Sequence, residues 1–170
     1  MKKPVDIEKT IENYLTFMSN RRNCILSLID EEGKPFISYS PFVKKDGKLY
    51  IYISQIAEHY RYMERNDYVD VLLIADESAT NNKFATERVR LSCKPTNIGN
   101  DGCDDIFALF NELHGAKMVD VLRTLDFSLF ELDPQRGRYV VGFGMAFDID
   151  VEANLFQHVV IDKKKEETTV

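Results

Sequence analysis

The chain changes its hydrophobic period several times, and each change marks an element. Across "DIEKTIENYLTFMSN" (6–20), Ile7, Ile11, Leu15 and Met18 recur at three- and four-residue spacings. This predicts an amphipathic helix with Asp6 as its cap. The period then changes. "NCILSLID" predicts a buried strand, "EEGK" a turn at Gly33, and "PFISYSPFV" a second strand. "KKDGK" predicts an Asp-Gly hairpin turn and "LYIYIS" a third strand. Three strands joined by two short turns form an antiparallel meander, because parallel neighbours need long crossovers.

Further on, "QIAEHYRYMERN" predicts a short helix with Ile56, Tyr60 and Met63 on one side, and "YVDVLLIAD" a fourth strand. "ESATNNKFATE" is polar and aperiodic, so a loop is expected there. "RVRLSCKPTNI" resumes alternation as a fifth strand. "DDIFALFNELHGAKMVDVLRTL" predicts a helix of about five to six turns unless Gly115 breaks it. Two more strands around a turn at Asp133–Gly137, then a short helix over "VEANLFQHVV", complete the order. Hairpin-joined strands with helices at the corners predict a mainly β fold, a small antiparallel barrel with flanking helices. No repeat or Pro/Gly/Ser-rich linker divides the chain. Residues 1–161 are therefore expected to form one domain with N- and C-terminal helices, and 162–170 ("DKKKEETTV") a disordered, solvated tail.

Apolar residues make up 44 % of the 170, the composition of a globular protein. Lys plus Arg is 22 and Asp plus Glu 28, so the net charge is 22 − 28 = −6. That balance argues against nucleic acid as a partner. No stretch has the uninterrupted apolar length of a membrane span, and "MKKPVDIEKT" lacks the apolar run of a signal peptide. Three cysteines without a C-x-x-C pair form no disulfide framework, which points to a reducing, cytoplasmic setting.

Candidate chemistry is sparse. His59, His114 and His158 lie far apart, and neither H-E-x-x-H nor a Cys/His zinc spacing is present. "GFGMAF" holds G-x-G without a third glycine and sits inside an alternating strand, so Gly142 and Gly144 mark a bulge or a close backbone approach. In "RVRLSC", alternation puts Arg88, Arg90 and Ser92 on one face. Two guanidiniums there suit a phosphate or carboxylate, and equally suit surface ion pairs to the many acids. Ser54 ends a strand and is expected to cap the following helix, whose free N–H groups face an anion. His59 borders that helix's apolar stripe. Asp126 precedes "FSLFEL", either as a polar cap between helix and strand or as a carboxylate that holds something.

The segments "SYSPFV", "LYIYISQIAEHYRYMERND", "VDVLLIADES", "FATERVRLSC" and "DFSLFELDPQRGRYVVGFGMAF", in this order, resemble the haem-utilisation proteins of the HugZ/HutZ type. These belong to the pyridoxamine 5'-phosphate oxidase-like, FMN-binding split-barrel superfamily. The resemblance runs from about Ile11 to His158. It implies a split antiparallel barrel of six to seven strands that pairs into a homodimer, with ligands held at the subunit interface. It also implies haem binding and oxidative cleavage of the porphyrin to release iron. By motif, Arg88 of "FATER" matches a family arginine near the haem, and His59 of "IAEH" the histidine of that helix. Asp126 matches an aspartate that supports the proximal histidine across the dimer. The family's haem-ligating histidine lies in the C-terminal tail, and "VVIDKKKEETTV" contains none. His158 is the nearest imidazole; Lys164, near the ligand's place, must first lose its proton. The resemblance thus implies a haem-degrading oxygenase of iron acquisition. Two alternatives stand beside it. One is an FMN flavoprotein with the phosphate on Arg88, Arg90 and the helix start near Ser54; the other is a haem carrier without turnover.

Overall fold

The meander closes on itself. In the computed structural model, which describes residues 5–160, β1 (Asn23–Ile29), β2 (Pro35–Lys45) and β3 (Lys48–Ser54) are antiparallel neighbours, and the Asp46–Gly47 turn joins the last two. β4 (Val69–Ile74) pairs with the other edge of β1, β5 (Arg88–Gly99) with β4, and β6 (Phe127–Gly142) with β5. The first part of β6 also pairs with β3, Leu49 opposite Leu132 through Ser54 opposite Phe127, which seals a six-stranded antiparallel barrel. The second part leaves the barrel and pairs with β7 (Met145–Asp150), which pairs with β8 (Leu155–His158). Closure removes the open strand edges that an unclosed sheet would present.

Alternation fills the lumen. Leu26, Leu28, Phe42, Leu49, Ile51, Val71, Leu73, Val89, Leu91, Phe130 and Leu132 point inward and are buried. Each such side chain contributes about 1.5–3 kcal/mol of transfer free energy. A second core lies outside the wall, where Val43, Tyr50, Tyr52 and Leu129 meet Ile106, Phe107, Phe110 and Val119. Those last four come from α3 (Asp104–His114) and α4 (Ala116–Arg123). The unbroken apolar run "LYIYI" follows from this, since β3 is covered on both faces.

α1 (Ile7–Ser19) begins as expected, with the Asp6 carboxylate accepting from Lys9 N at 3.0 Å. Its buried face is Thr10, Phe17 and Met18, while Leu15, assigned to the apolar stripe, is 51 % exposed. Two further expectations are corrected, and the open question at Gly115 is decided. The long helix breaks at Gly115, whose φ of 93° a residue with a side chain rarely adopts, and gives α3 and α4. The Asp133–Gly137 segment is no hairpin: β6 runs straight through it. The register steps from Ser92 opposite Arg136 to Cys93 opposite Pro134, so a bulge absorbs Gln135 and accommodates the proline's missing N–H. The chain turns instead after Gly142, before Met145. Finally, the terminal helix is the strand β8, because Phe156 stacks on Phe147 across the ladder and turns toward α1. The expected loop at 77–87 holds two short 3₁₀ turns, Glu77–Ala79 and Lys83–Ala85. The tail expectation, with Lys164, falls outside the described residues. Among the described residues, no helix is long and apolar enough to cross a membrane.

Candidate functional site

Each predicted site residue sits on an element whose local geometry fixes its partner. Ser54 closes β3, but the next helix, α2 (Glu58–Arg65), starts four residues later, with Ala57 at its cap and no side-chain capping bond. The expected Ser54 cap is therefore absent, and Ile56, expected on the helix's apolar side, is 89 % exposed. The Ser54 hydroxyl instead lies 3.1 Å from both carboxylate oxygens of Asp126, and Gln55 N donates to the Asp126 carbonyl at 3.0 Å. Asp126 thus ties the end of β3 to the start of β6.

His59, in the first turn of α2, is half-buried, and its Nδ1 lies 3.0 Å from the Ser38 hydroxyl. Burial lowers its pKa below the usual imidazole value, and the Glu58 carboxylate opposes that only in part. The imidazole is therefore held toward its neutral form. Ser38 and Ser40 face the lumen side of β2, while Ile37 and Tyr39 face outward and are 71 % and 58 % exposed. This inverts the usual apolar-in arrangement. The lumen at this end is closed by α2, where Tyr60 packs on Phe130 and Tyr62 on Phe36.

Arg88 and Arg90 do share a face of β5, opposite to the buried Val89, Leu91 and Cys93. Arg90 pairs with Asp70 of β4 at 2.9 Å, the surface ion pair that the sequence left open, whereas Arg88 donates to the Thr86 carbonyl at 2.8 Å. Register places Arg88 opposite Ile74 and Val140, Arg90 opposite Leu72, and Ile25 opposite both Tyr39 and Leu72. The outer face of β2, β1, β4 and β5 is therefore an apolar surface bordered by guanidinium groups. Asp70 was a legible signal, an acid interrupting the apolar strand "YVDVLLI"; the partnership of His59 with Ser38 had none.

His158 ends β8. Its Nε2 lies 3.0 Å from the Gly144 carbonyl and its ring packs 5.1 Å from that of Phe147. A carbonyl only accepts, so Nε2 is the donor in this contact. His114 closes α3, with Nε2 2.9 Å from the Phe42 carbonyl. The described cysteines are unpaired, and burial pushes the Cys24 thiol up to about 12. Among the described residues, no three His, Cys, Asp or Glu side chains cluster as metal ligands.

The chain thus brings together Ser54 with Asp126, and Arg88 with Arg90, but keeps the two groups apart. Ser54 is opposite Phe127 and Arg88 is opposite Val140, thirteen positions along β6, or about 40 Å of extended strand. The phosphate cradle expected of Arg88, Arg90 and Ser54 together is not assembled within a single chain.

Comparison with known proteins places this architecture. The pyridoxamine 5'-phosphate oxidase family profile matches residues 10–141. Haem oxygenase HutZ of Vibrio cholerae is 34 % identical over 137 residues, covering 78 % of this chain and 77 % of that protein. The crystal structure of Campylobacter jejuni ChuZ superposes with a TM-score of 0.84 at 27 % identity, over 93 % of this chain and 65 % of that one. This chain therefore spans less than two thirds of ChuZ. The crystal structure of HutZ, described there as a haem storage protein, superposes with a TM-score of 0.70 at 29 % identity, over 82 % of this chain and 99 % of that one. The chain belongs to the HugZ/HutZ type of the pyridoxamine 5'-phosphate oxidase-like split-barrel superfamily.

Proposed function

We propose that the protein binds haem along a seam between two copies of the chain and cleaves it oxidatively, as a step in iron acquisition. The observation that carries this reading is the 34 % identity to a haem oxygenase over most of both chains. Two features support the paired arrangement. The outer face of Ile25, Ile37, Tyr39, Leu72 and Ile74 is apolar and open. The Arg88 and Asp126 groups lie at opposite ends of the β5–β6 ladder within one chain, and pairing of two chains supplies both to one ligand.

Haem is the substrate in this reading, and the donor set fits it. The Arg88 guanidinium, free of any carboxylate among the described residues, pairs with a propionate. His158 offers Nδ1 toward iron while the Gly144 carbonyl holds its other nitrogen. Asp126, fixed by the Ser54 hydroxyl, orients a donor brought by the second subunit. The flavin alternative has less support, because Arg90 is already paired with Asp70 and Ser54 does not open α2.

Haem titration tests the reading. A Soret band should appear with a saturating stoichiometry, weaken at least about tenfold in Arg88→Ala, and shift in position in His158→Ala. Sedimentation should give a dimer. Absence of a Soret change up to about 50 µM haem, an affinity near −6 kcal/mol, would refute haem binding. Ascorbate and oxygen separate cleavage from storage: loss of the Soret band with chelatable iron released marks turnover, and an unchanged spectrum marks a carrier.

A further inference from the structure

On the side of the barrel away from the Arg88 face, a cleft of about 690 Å³ opens between α1 and the β7–β8 extension. Its size lies within the range of small-molecule sites, and barrel mouths are common places for them. Ile11, Leu15 and Met18 of α1 line one side, and Val151 and Leu155 flanking the β7–β8 turn line another. Three of these, Leu15 (51 %), Val151 (50 %) and Leu155 (46 %), are exposed large apolar residues gathered around one cleft. Apolar side chains so grouped mark an interaction site, whereas scattered ones do not.

The remaining feature is a cation. Lys44 lines the cleft from the last rungs of the β2–β3 hairpin, opposite Leu49 and hence on the lumen side of the wall. It is half-buried, its pKa is lowered by that burial, and it has no carboxylate or hydrogen-bond partner among the described residues. Its chain neighbour Lys45 bonds to Asp105 and nearby Lys48 to Glu131, so the hairpin's other lysines are both satisfied. Asp150, the carboxylate of the cleft, is engaged by Arg136 at 3.6 Å and by Ala153 N at 3.0 Å. A partly desolvated ammonium beside an apolar trough is unfavourable until an anion with an apolar body joins it.

We propose that this cleft binds a single-chain fatty acid, with its alkyl chain between α1 and β8 and its carboxylate on Lys44. β8 itself does not fill the cleft. β8 enters at Leu155 beside the cleft and runs away from it, and Val159 N is bonded to the Ala146 carbonyl at the far end of the ladder.

The test uses the full chain and fluorescent cis-parinaric acid, below its micellar concentration, with palmitate as competitor. One saturable site per chain is expected, weakened about tenfold or more in Lys44→Met. Hexadecanol, which lacks the carboxylate, should compete equally in both proteins. Leu15→Glu changes an exposed position, leaves the thermal melt unchanged, and should weaken parinarate by a similar factor, which keeps the proposal testable if Lys44→Met fails to fold. Absence of saturation, equal affinity in all variants, or competition by haem for the parinarate site overturns the proposal.

Discussion

The first part of β6, Phe127–Leu132, is zipped to β3 inside a closed barrel, whereas the second, Arg136–Gly142, is zipped to β7 and leaves it. In the first, Leu129, Phe130 and Leu132 are at most 1 % exposed, with the lumen on one face and α3–α4 over the other. In the second, the outermost strand is four residues long, and its grip on α1 rests on Tyr14, Tyr139, Phe147 and Phe156 packed edge and face. Closure and two covering cores make the barrel one cooperative unit. The outer strand of the extension is held to α1 by one aromatic cluster, and the fatty-acid cleft opens between it and the helix. The same strand therefore serves as wall in one half and as scaffold in the other.

The largest effect should separate these halves directly. Phe130→Ala empties a barrel position with no room to collapse and should cost about 3–5 kcal/mol. Phe156→Ala, at a half-buried edge, should cost about 1–2 kcal/mol. Urea unfolding at matched m values measures both, and equal losses would erase the distinction. The junction comes next. A Cβ on Gly137 would meet the Arg90 carbonyl oxygen at 2.6 Å and Leu91 Cδ2 at 2.7 Å, forcing β5 and β6 apart. Gly137→Ala should therefore cost about 1–3 kcal/mol. Gly142→Ala, with nothing within 4 Å, should stay within about 0.5 kcal/mol. A neutral Gly137→Ala would show that the strands can slide where the geometry says they cannot.

The smallest effect sharpens the barrel end. His59 has its pKa lowered by burial, so the folded state binds fewer protons than the unfolded one as the pH falls through the ordinary value of 6.5. The His59 contribution to stability is thus fully present above that pH and is lost on acidification through the folded value. His59→Gln, which can still bond to Ser38, should flatten the melting temperature between about pH 7 and pH 5. A slope unchanged by the substitution would place the imidazole in water.

Much of the fold was legible, and for a local reason. Alternation in "RVRLSC" and the two-sided apolar run "LYIYI" are set by what each face touches, and the Asp-Gly turn by its own backbone. The errors came where distant contacts decide. "VEANLFQHVV" has helical spacing on paper, yet pairing with β7 and stacking of Phe156 on Phe147 make it a strand. The proline-containing turn signal at 133–137 was absorbed as a bulge because β5 runs alongside and holds both sides of it. Of the candidate site, the shared face of the two arginines was readable from the period of two. The clasp of Ser54 on Asp126, 72 positions apart, was not.

What the sequence by itself determined was the period of each segment, the hairpins, the net negative charge and the family to which the motifs point. Those properties are carried by residues within a few positions of one another or by the composition of the whole. Only the tertiary structure decided that Ile37 and Tyr39 face outward while Ser38 meets His59, that Arg90 is taken by Asp70, and that Lys44 faces an apolar cleft with no partner among the described residues. Those outcomes depend on which strands become neighbours, and the free energy of closing a barrel is shared among contacts that lie far apart along the chain.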